Sequence, residues 1–320
     1  MLADASAAAT DHRHALGQVC SLLTAIVWAY ALVLFKLTGE RIAPIALNLF
    51  KNAVGLVLLT VTLAVLIVCG QDSLAVLWEQ RPDDLCLLLL SGLIGIALAD
   101  TIFFYALNLI GVGLLSVVDC AYSPLAILFA WLLLREKLGL VHYAGAALIV
   151  VGVFVASRHK PPAGRTRAQI VAGMGLAVLA VSMMAFGIVL AKPVVENIPL
   201  IWASTLRMAG GSAFLVLFAL LGRGWKTHWS VFRPSLAWKT ALPASILGTY
   251  VCMILWVAGF KYTYASVAAV LNQTSVVFAS ILAVVILKEH FDRRKIAALV
   301  LALIGVAIVT FGDRLTGLWL

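Results

Sequence analysis

Apolar runs of helical length alternate with short polar segments from one end of the chain to the other. A helix needs roughly 20 apolar residues to cross a hydrocarbon core about 30 Å thick. The pattern predicts an all-α integral membrane protein with ten transmembrane helices. They are predicted at Leu16–Phe35, Ile45–Val68, Leu85–Asn108, Val112–Leu134, Val141–Ala156, Ile170–Leu190, Leu200–Leu221, Lys239–Phe260, Ala265–Leu287 and Lys295–Phe311.

Composition agrees with this pattern. The chain has 320 residues, of which 63% are hydrophobic and 12% charged, and its mean hydropathy is +1.08. A water-soluble globular domain of this length does not reach such values. The formal net charge of +9 is spread over the ends of the apolar segments, which favours lipid headgroups over nucleic acid. We therefore expect a multi-pass protein in contact with the lipid bilayer and no nucleic-acid partner.

The sequence offers few ligands for a metal or cofactor. The five cysteines show no CxxC or Cys/His spacing, and the six histidines fall in tails, loops or segment ends. A metal site inside the membrane would need such side chains at close spacing. We therefore predict no metal and no cofactor.

The chain divides into two halves that resemble each other weakly. A polar linker at residues 157–169 separates a first repeat at 1–156 from a second at 170–320. Two offsets align the halves, 153 for Glu136 with Glu289 and for Gly95 with Gly248, and 156 for Lys51 with Arg207. Because five helices is an odd number, the second half must enter the membrane in the opposite sense. Inverted repeats of this kind are typical of secondary transporters, whose site lies near the bilayer midplane.

Two carboxylates lie at one predicted depth in a helical hairpin. Asp100 lies ten residues before the predicted turn at 109–111 and Asp119 follows it at a similar distance. Both are therefore roughly 13–15 Å below the turn, near the bilayer middle. An ionised carboxylate costs about 2.5–3.5 kcal/mol at that depth, so each must be paired, hydrated or protonated. Either acid is a candidate for coupling solute movement to protons, and a fixed ion pair or a helix cap is the alternative.

Polar side chains on two matching helices predict a pocket between the repeats for a small polar solute. By their spacing along a helix, one wall comprises Asp119, Tyr122 and Ser123, and the other comprises Asn272, Gln273 and Ser275. We predict substrate-binding roles for these side chains. The alternative is that the hydroxyl and amide groups only tie helices together, at ~1 kcal/mol each.

Lys51 and Arg207 lie about two turns inside matching helices. Each can pair with a buried acid, hold a substrate carboxylate or extend toward the headgroups. Arg207 is predicted to face inward and bind substrate because the adjacent Gly210–Gly211 pair indicates close helix packing, whereas the alternatives stay open for Lys51. Trp28 and Trp256 are further candidates for shaping the pocket, although aromatic residues are more often core or interface residues.

Four stretches carry a resemblance to a known family. SPLAILFAWLLLREKL and GAALIVVGVFVAS in the first half are echoed by VVFASILAVVILKEHF and AALVLALIGVAIVTFG in the second. Together with the two five-helix halves, these stretches resemble the EamA-type members of the drug/metabolite transporter superfamily. Glu136 and Glu289 belong to this pattern, and we interpret them as structural. Val277 stands where the first half has Pro124, so the two central helices need not bend alike.

The resemblance implies a secondary transporter that exports amino acids or similarly small metabolites from a bacterial inner membrane. A monomer is sufficient for such a site, and a homodimer stays open. The sequence has no GxxxxGK[ST] motif, so a gradient or exchange would supply the energy and transport would proceed by alternating access. The alternatives are a membrane-embedded enzyme acting on a lipid or isoprenoid substrate and a non-transporting sensor. We expect no enzyme, because GxSxG, HExxH and DDxxD motifs are absent.

Overall fold

The computed structural model describes residues 2–135, 140–157, 166–221, 228–289 and 293–316. This part of the chain forms helices and contains no β-strand. The α-helices are α1 (Leu2–Gly39), α2 (Pro44–Val68), α3 (Ala75–Glu79), α4 (Pro82–Gly92), α5 (Ala99–Asp119), α6 (Tyr122–Leu134), α7 (Leu140–Ser157), α8 (Arg167–Val195), α9 (Leu200–Leu221), α10 (Trp238–Ser245), α11 (Cys252–Tyr262), α12 (Ala265–Gln273), α13 (Ser275–Val285) and α14 (Arg293–Thr316). A short 3-10 helix at Ser230–Phe232 precedes α10.

Seven segments in the described residues are long and apolar enough to cross a membrane, which identifies a multi-pass membrane protein. One of them, Pro82–Asp119, has 38 residues. Within it Gly111 has φ 75° and ψ 173°, a backbone conformation essentially restricted to glycine. The segment is therefore two helices joined at Gly111, and this confirms the predicted turn of the hairpin. The total of ten transmembrane helices stays a prediction.

Two π-helical turns mark matching positions in the two halves. The first, Leu93–Leu98, joins α4 to α5, and the second, Ile246–Val251, joins α10 to α11. Their starts are 153 positions apart (93 to 246), which equals the offset found from the sequence. Single π-helical turns inside α-helices are rare and occur frequently at functional sites. The structure therefore repeats an uncommon backbone feature at the register that the sequence repeat predicts.

The central helices of both halves are interrupted at matching places. In the first half the break lies between α5 and α6, at Cys120–Ala121, and in the second it lies at Thr274, between α12 and α13. The sequence left open whether these helices bend alike, since Val277 stands where the first half has Pro124, and the structure interrupts both. Each break lies a few residues before the proline position or its valine counterpart, so the interruption does not depend on proline.

Helix ends are capped across the fold in the same register. Asn108 Nδ2 donates a hydrogen bond to the carbonyl oxygen of Gly39 at 3.2 Å, at the end of α1. In the second half Lys261 Nζ donates to the carbonyl oxygen of Val195 at 3.0 Å, at the end of α8. These contacts satisfy carbonyl groups that a helix end leaves free. In the first half a residue of α5 therefore caps the end of α1, and in the second half a residue of α11 caps the end of α8.

Glu289 joins the end of the second half to the hairpin of the first. Its Oε1 and Oε2 atoms accept hydrogen bonds of 2.9 Å from the backbone N–H groups of Val112 and Gly113. These N–H groups open the helix that follows Gly111, where a carboxylate also interacts favourably with the helix dipole. Its sequence counterpart Glu136 lies outside the described residues.

Glycines allow α9 to pack closely against α4. A Cβ atom at Gly92 would lie 1.8 Å from the carbonyl oxygen of Arg207, and one at Gly210 would lie 2.4 Å from that of Leu89. No larger side chain fits between backbones at this separation. This packing holds Arg207 at a fixed position beside the centre of the molecule.

Candidate functional site

A cavity of about 140 Å³ lies at the centre of the molecule. Residues of both halves line it, from α1, α2, α5, α6, α8, α9, α11, α12 and α13 and from both π-helical turns. A cavity of about 150 Å³ can hold a benzene molecule. The space is therefore sufficient for a solute of that size.

Most of the side chains predicted to bind solute or carry protons come together here. The structure places nine of them on the wall of the cavity: Trp28, Asp100, Asp119, Tyr122, Arg207, Trp256, Asn272, Gln273 and Ser275. Ser123, predicted for the same wall, is fully buried and is not among the residues that line this cavity. The helical spacing used to place it assumes a continuous helix from Asp119 onward, and the break at Cys120–Ala121 removes that condition.

Lys51 and Asp100 form a buried ion pair at the cavity wall. Lys51 Nζ lies 2.6 Å from Asp100 Oδ2, and the two side chains are 6% and 16% exposed. The ammonium group also donates to Asn52 Oδ1 at 3.0 Å. Of the alternatives for Lys51, the structure selects pairing with a buried acid. Asp100 accordingly has a fixed partner, which is what a carboxylate at this depth requires.

Two asparagines tie this ion pair to the first π-helical turn. Asn52 Nδ2 donates to Asn48 Oδ1 at 3.2 Å. Asn48 Nδ2 in turn lies 3.2 and 3.1 Å from the carbonyl oxygens of Ile96 and Ala97, within the turn. A π-helical turn disturbs the regular backbone ladder, and buried carbonyl groups need partners. Lys51 and Asp100 are thus held by a connected polar network between α2 and the turn.

Arg207 is a charged side chain with open hydrogen-bonding capacity. It is fully buried, and its Cζ atom lies 5.2 Å from the centre of the Trp256 ring. Within the described part of the chain, its Nε and Nη1 atoms have no hydrogen-bond partner. A buried guanidinium group normally has its donors satisfied. Arg207 therefore faces inward, as predicted, with two of its donor atoms unpaired among the described residues.

Asp119 differs from Asp100 in having no partner for its carboxylate. None of the described residues forms a hydrogen bond or ion pair with that carboxylate. Its backbone carbonyl oxygen, freed where α5 ends, accepts a hydrogen bond of 2.6 Å from Gln273 Nε2. The amide nitrogen of Gln273 therefore links the end of α12 to the end of α5.

Asn272 and Thr249 offer further unsatisfied polar atoms at the cavity. Both side-chain polar atoms of Asn272 and the hydroxyl of Thr249 are buried without a hydrogen-bond partner among the described residues. Thr249 is not among the residues predicted from the sequence. It lies in the second π-helical turn and its counterpart at the 153-residue offset is Ile96, which also lines the cavity. Because that counterpart is apolar and was not predicted to line the site, the repeat gave no signal for Thr249.

Other cavity residues were not predicted from the sequence, and all of them except Lys51 are small or apolar. Thr24, Lys51, Phe103, Met184, Cys252 and Met253 belong to this set. Apart from Lys51, these residues give no distinctive signal inside an apolar segment. Lys51 could have been included through its alignment with Arg207.

A family comparison matches most of the chain. The model of the EamA-like transporter family matches residues 15–158 and again residues 171–311. A relative from Bacillus subtilis (strain 168), described as an uncharacterized transporter, YoaV, is 27% identical over 147 residues, which is 45% of this chain. The chain covers 48% of the length of that relative. The family that matches over most of the chain is a family of transporters.

A solved structure shares the fold. It is described only as the crystal structure of a protein, is 19% identical in sequence, and superposes with a TM-score of 0.68. The match covers 94% of this chain and 98% of the other. At this identity the likeness concerns the arrangement of helices.

Proposed function

This chain belongs to the EamA-like transporter family, and we propose that it is a secondary active transporter which exports amino acids or similarly small metabolites from a bacterial inner membrane. The observation that carries the proposal is the central cavity, lined by unsatisfied polar atoms of Arg207, Thr249 and Asn272. Buried polar atoms without partners cost free energy. A polar solute that pairs with them recovers that cost, which favours its binding.

The two repeats supply a way to move that solute. We assign the first repeat to residues 1–156, the linker to 157–169 and the second repeat to 170–320, related by inversion. Interrupted helices at a midplane site are a recurring feature of transporters with inverted repeats. The breaks beside Asp119 and Asn272 support this mechanism. One repeat would rock against the other and open the cavity to each side in turn.

Asp119 is the better candidate for proton coupling of the two acids. Asp100 is paired with Lys51, so its negative charge is compensated in place. Asp119 lines the same cavity and has no ionic partner among the described residues. Protonation would remove an uncompensated buried charge, and release of the proton would follow when the cavity opens to water.

The test is solute flux in proteoliposomes. The purified protein is reconstituted, loaded with a mixture of radiolabelled amino acids, and subjected to a pH gradient. We expect faster efflux of labelled solute than from liposomes that are loaded in the same way but contain no protein. Asp119→Asn should abolish the part driven by the pH gradient, because an amide carries no titratable proton, and should leave a slower exchange of labelled for unlabelled solute, because the cavity keeps its shape but loses one contact to the solute.

Gradient-driven flux that is unchanged in both Asp119→Asn and Asp100→Asn would contradict proton coupling. Absence of flux for every solute offered, in protein that is folded, would contradict the transporter itself and favour the sensor or the lipid enzyme.

A further inference from the structure

We propose that the cavity is built for a zwitterion, with Arg207 binding the carboxylate of the solute and Asp119 facing its cationic group. This inference rests on the proposed function and names which side chain recognises which end of the solute. It follows from how the charged groups around the cavity are partnered. Among the described residues, the cavity wall holds two cationic and two acidic side chains, Lys51, Arg207, Asp100 and Asp119.

One cation and one anion of the cavity wall are already paired with each other. Lys51 and Asp100 are 2.6 Å apart, and the ammonium group is also held by Asn52. A solute that recruited either group would have to break a buried ion pair, which is strongly unfavourable. This pair therefore forms part of the fixed wall.

Arg207 forms the positive pole. Its side chain is fully buried, and its Cζ atom lies 5.2 Å from the centre of the Trp256 ring. Its Nε and Nη1 atoms have no hydrogen-bond partner among the described residues. Because α9 packs backbone to backbone against Gly92, the base of this side chain cannot move away from the site. A planar fork of N–H donors matches a carboxylate better than any neutral group of similar size. Asn272, with both its amide atoms unpartnered, adds hydrogen-bonding capacity at the same cavity.

Asp119 forms the negative pole. It lines the cavity, and its carboxylate forms no ion pair with the described residues. A solute with only a carboxylate would leave this charge unmet, and a simple amine would leave Arg207 unmet. A solute with both charges meets both poles and brings no net charge into the low-dielectric interior.

The remaining wall selects for an apolar body between the charged ends. Trp28, Phe103, Met184 and Met253 line the cavity, and its volume of about 140 Å³ suits a whole solute about as large as benzene. The class of solute is therefore an α-amino acid with a small apolar side chain.

The experiment measures binding to the purified full-length protein by thermal shift, with the twenty standard amino acids as probes. The amino acid that stabilises most is then compared with its amide, its decarboxylated amine and its deaminated acid. We expect each of the three analogues to bind about tenfold more weakly or worse, since each lacks a charge-assisted contact. Stabilisation by a bound ligand follows its concentration relative to Kd, so the shifts give relative affinities without any variant.

Variants of Arg207 then test whether this side chain binds the carboxylate of the solute. Arg207→Gln should lose the preference for the amino acid over its amide, while Arg207→Lys should keep a reduced preference because the charge remains and the fork is gone. Arg41→Gln, which removes an exposed guanidinium group near the end of α1, is the matched control and should bind as the unaltered protein does.

Equal binding of an amino acid and its amide, or stabilisation by none of the twenty, would overturn the zwitterion. These outcomes are distinct from failure of the proposed function. A protein that binds no amino acid yet moves an uncharged metabolite in proteoliposomes remains a transporter, and a protein that moves nothing is not one.

Discussion

The charged side chains at the centre of the molecule differ in what they contact. Lys51 and Asp100 form a closed pair supported by Asn48 and Asn52, and Arg207 keeps open donors against the Trp256 ring. A buried charge that lacks a partner is costly. The paired set therefore explains how the wall is stabilised, and the unpaired groups explain what the wall can bind.

Removing one member of the buried ion pair should destabilise the protein strongly. Lys51→Met leaves Asp100 as an uncompensated carboxylate, and we expect a loss of about 3–5 kcal/mol, seen as a lower Tm in detergent. The double variant Lys51→Met/Asp100→Leu should recover most of that loss, since a hydrophobic pair replaces the ions. A single variant as stable as the unaltered protein would contradict the ion pair.

At this scale the sequence predicts the position of the charges better than their pairing. The depth of Asp100 and Asp119 follows from counting residues along a hairpin, and the equivalence of Lys51 and Arg207 follows from the repeat. Which cation meets which acid depends on the rotation of α2 and α9 about their axes, and each side chain is long enough to reach several places. The pairing therefore had to come from the structure.

Among the elements, the hairpin in the first half depends on one backbone position. Gly111 has φ 75° and ψ 173°, and Glu289 caps the helix that follows it. The cap connects the last part of the second half to the middle of the first. The turn thus serves both as a local reversal and as a joint between the halves.

Alanine at Gly111 should cost more than alanine at another glycine with positive φ. Gly111→Ala pays backbone strain of about 1–3 kcal/mol, and its Cβ would lie 3.0 Å from Glu289 Oε1. Gly70 has φ 69° with nothing within 4 Å of its Cβ position, so Gly70→Ala pays strain alone. Thermal unfolding should show the larger Tm decrease for Gly111→Ala, and equal decreases would contradict the role assigned to the Glu289 cap.

A second pair of glycines tests the close packing of α4 against α9. Gly92→Ala would place its Cβ 1.8 Å from the carbonyl oxygen of Arg207, and overpacking against backbone costs about 3 kcal/mol or more. Gly175, in α8, has nothing within 4 Å, so Gly175→Ala should be neutral or stabilising by up to about 1 kcal/mol. The yield and Tm of the purified variants measure the difference. Normal yield of Gly92→Ala would show that the helices are farther apart.

The interruptions of the central helices could not be predicted from the residue pattern of the helices themselves. Pro124 in the first half and Val277 in the second left open whether the two helices bend alike, and both are interrupted, at Cys120–Ala121 and at Thr274. The π-helical turns likewise have no distinctive residue pattern, although they recur in register. Irregular backbone is set by tertiary packing and by side chains such as Asn48 that satisfy the freed carbonyls, which local propensity does not contain.

For the whole molecule, the two matches to the EamA-like family, at residues 15–158 and 171–311, agree with the repeat read from the sequence. The scaffold features recur in both halves, including the π-helical turns, the helix breaks and the end caps. The two acids at the cavity both come from the first half, and Asn272 and Met253 stand at their counterparts. The helical scaffold and the two cations, Lys51 and Arg207, therefore recur in both halves, and the difference between the halves gives the cavity its two carboxylates.

The central claim is that this cavity opens to each side of the membrane in turn, and Cys252 gives a direct test. Cys252 is a free thiol on the cavity wall, whereas Cys120 is buried outside it. Two single-cysteine variants, one with Cys252 and one with Cys120 as the sole cysteine, are reconstituted in sealed vesicles. Each is then exposed, from one side at a time, to a small membrane-impermeant methanethiosulfonate.

We expect Cys252 to be modified from either side, more slowly when the transported amino acid is present, and Cys120 to stay unmodified. Modification of Cys252 from one side only, in protein that still transports, would contradict alternating access at this cavity.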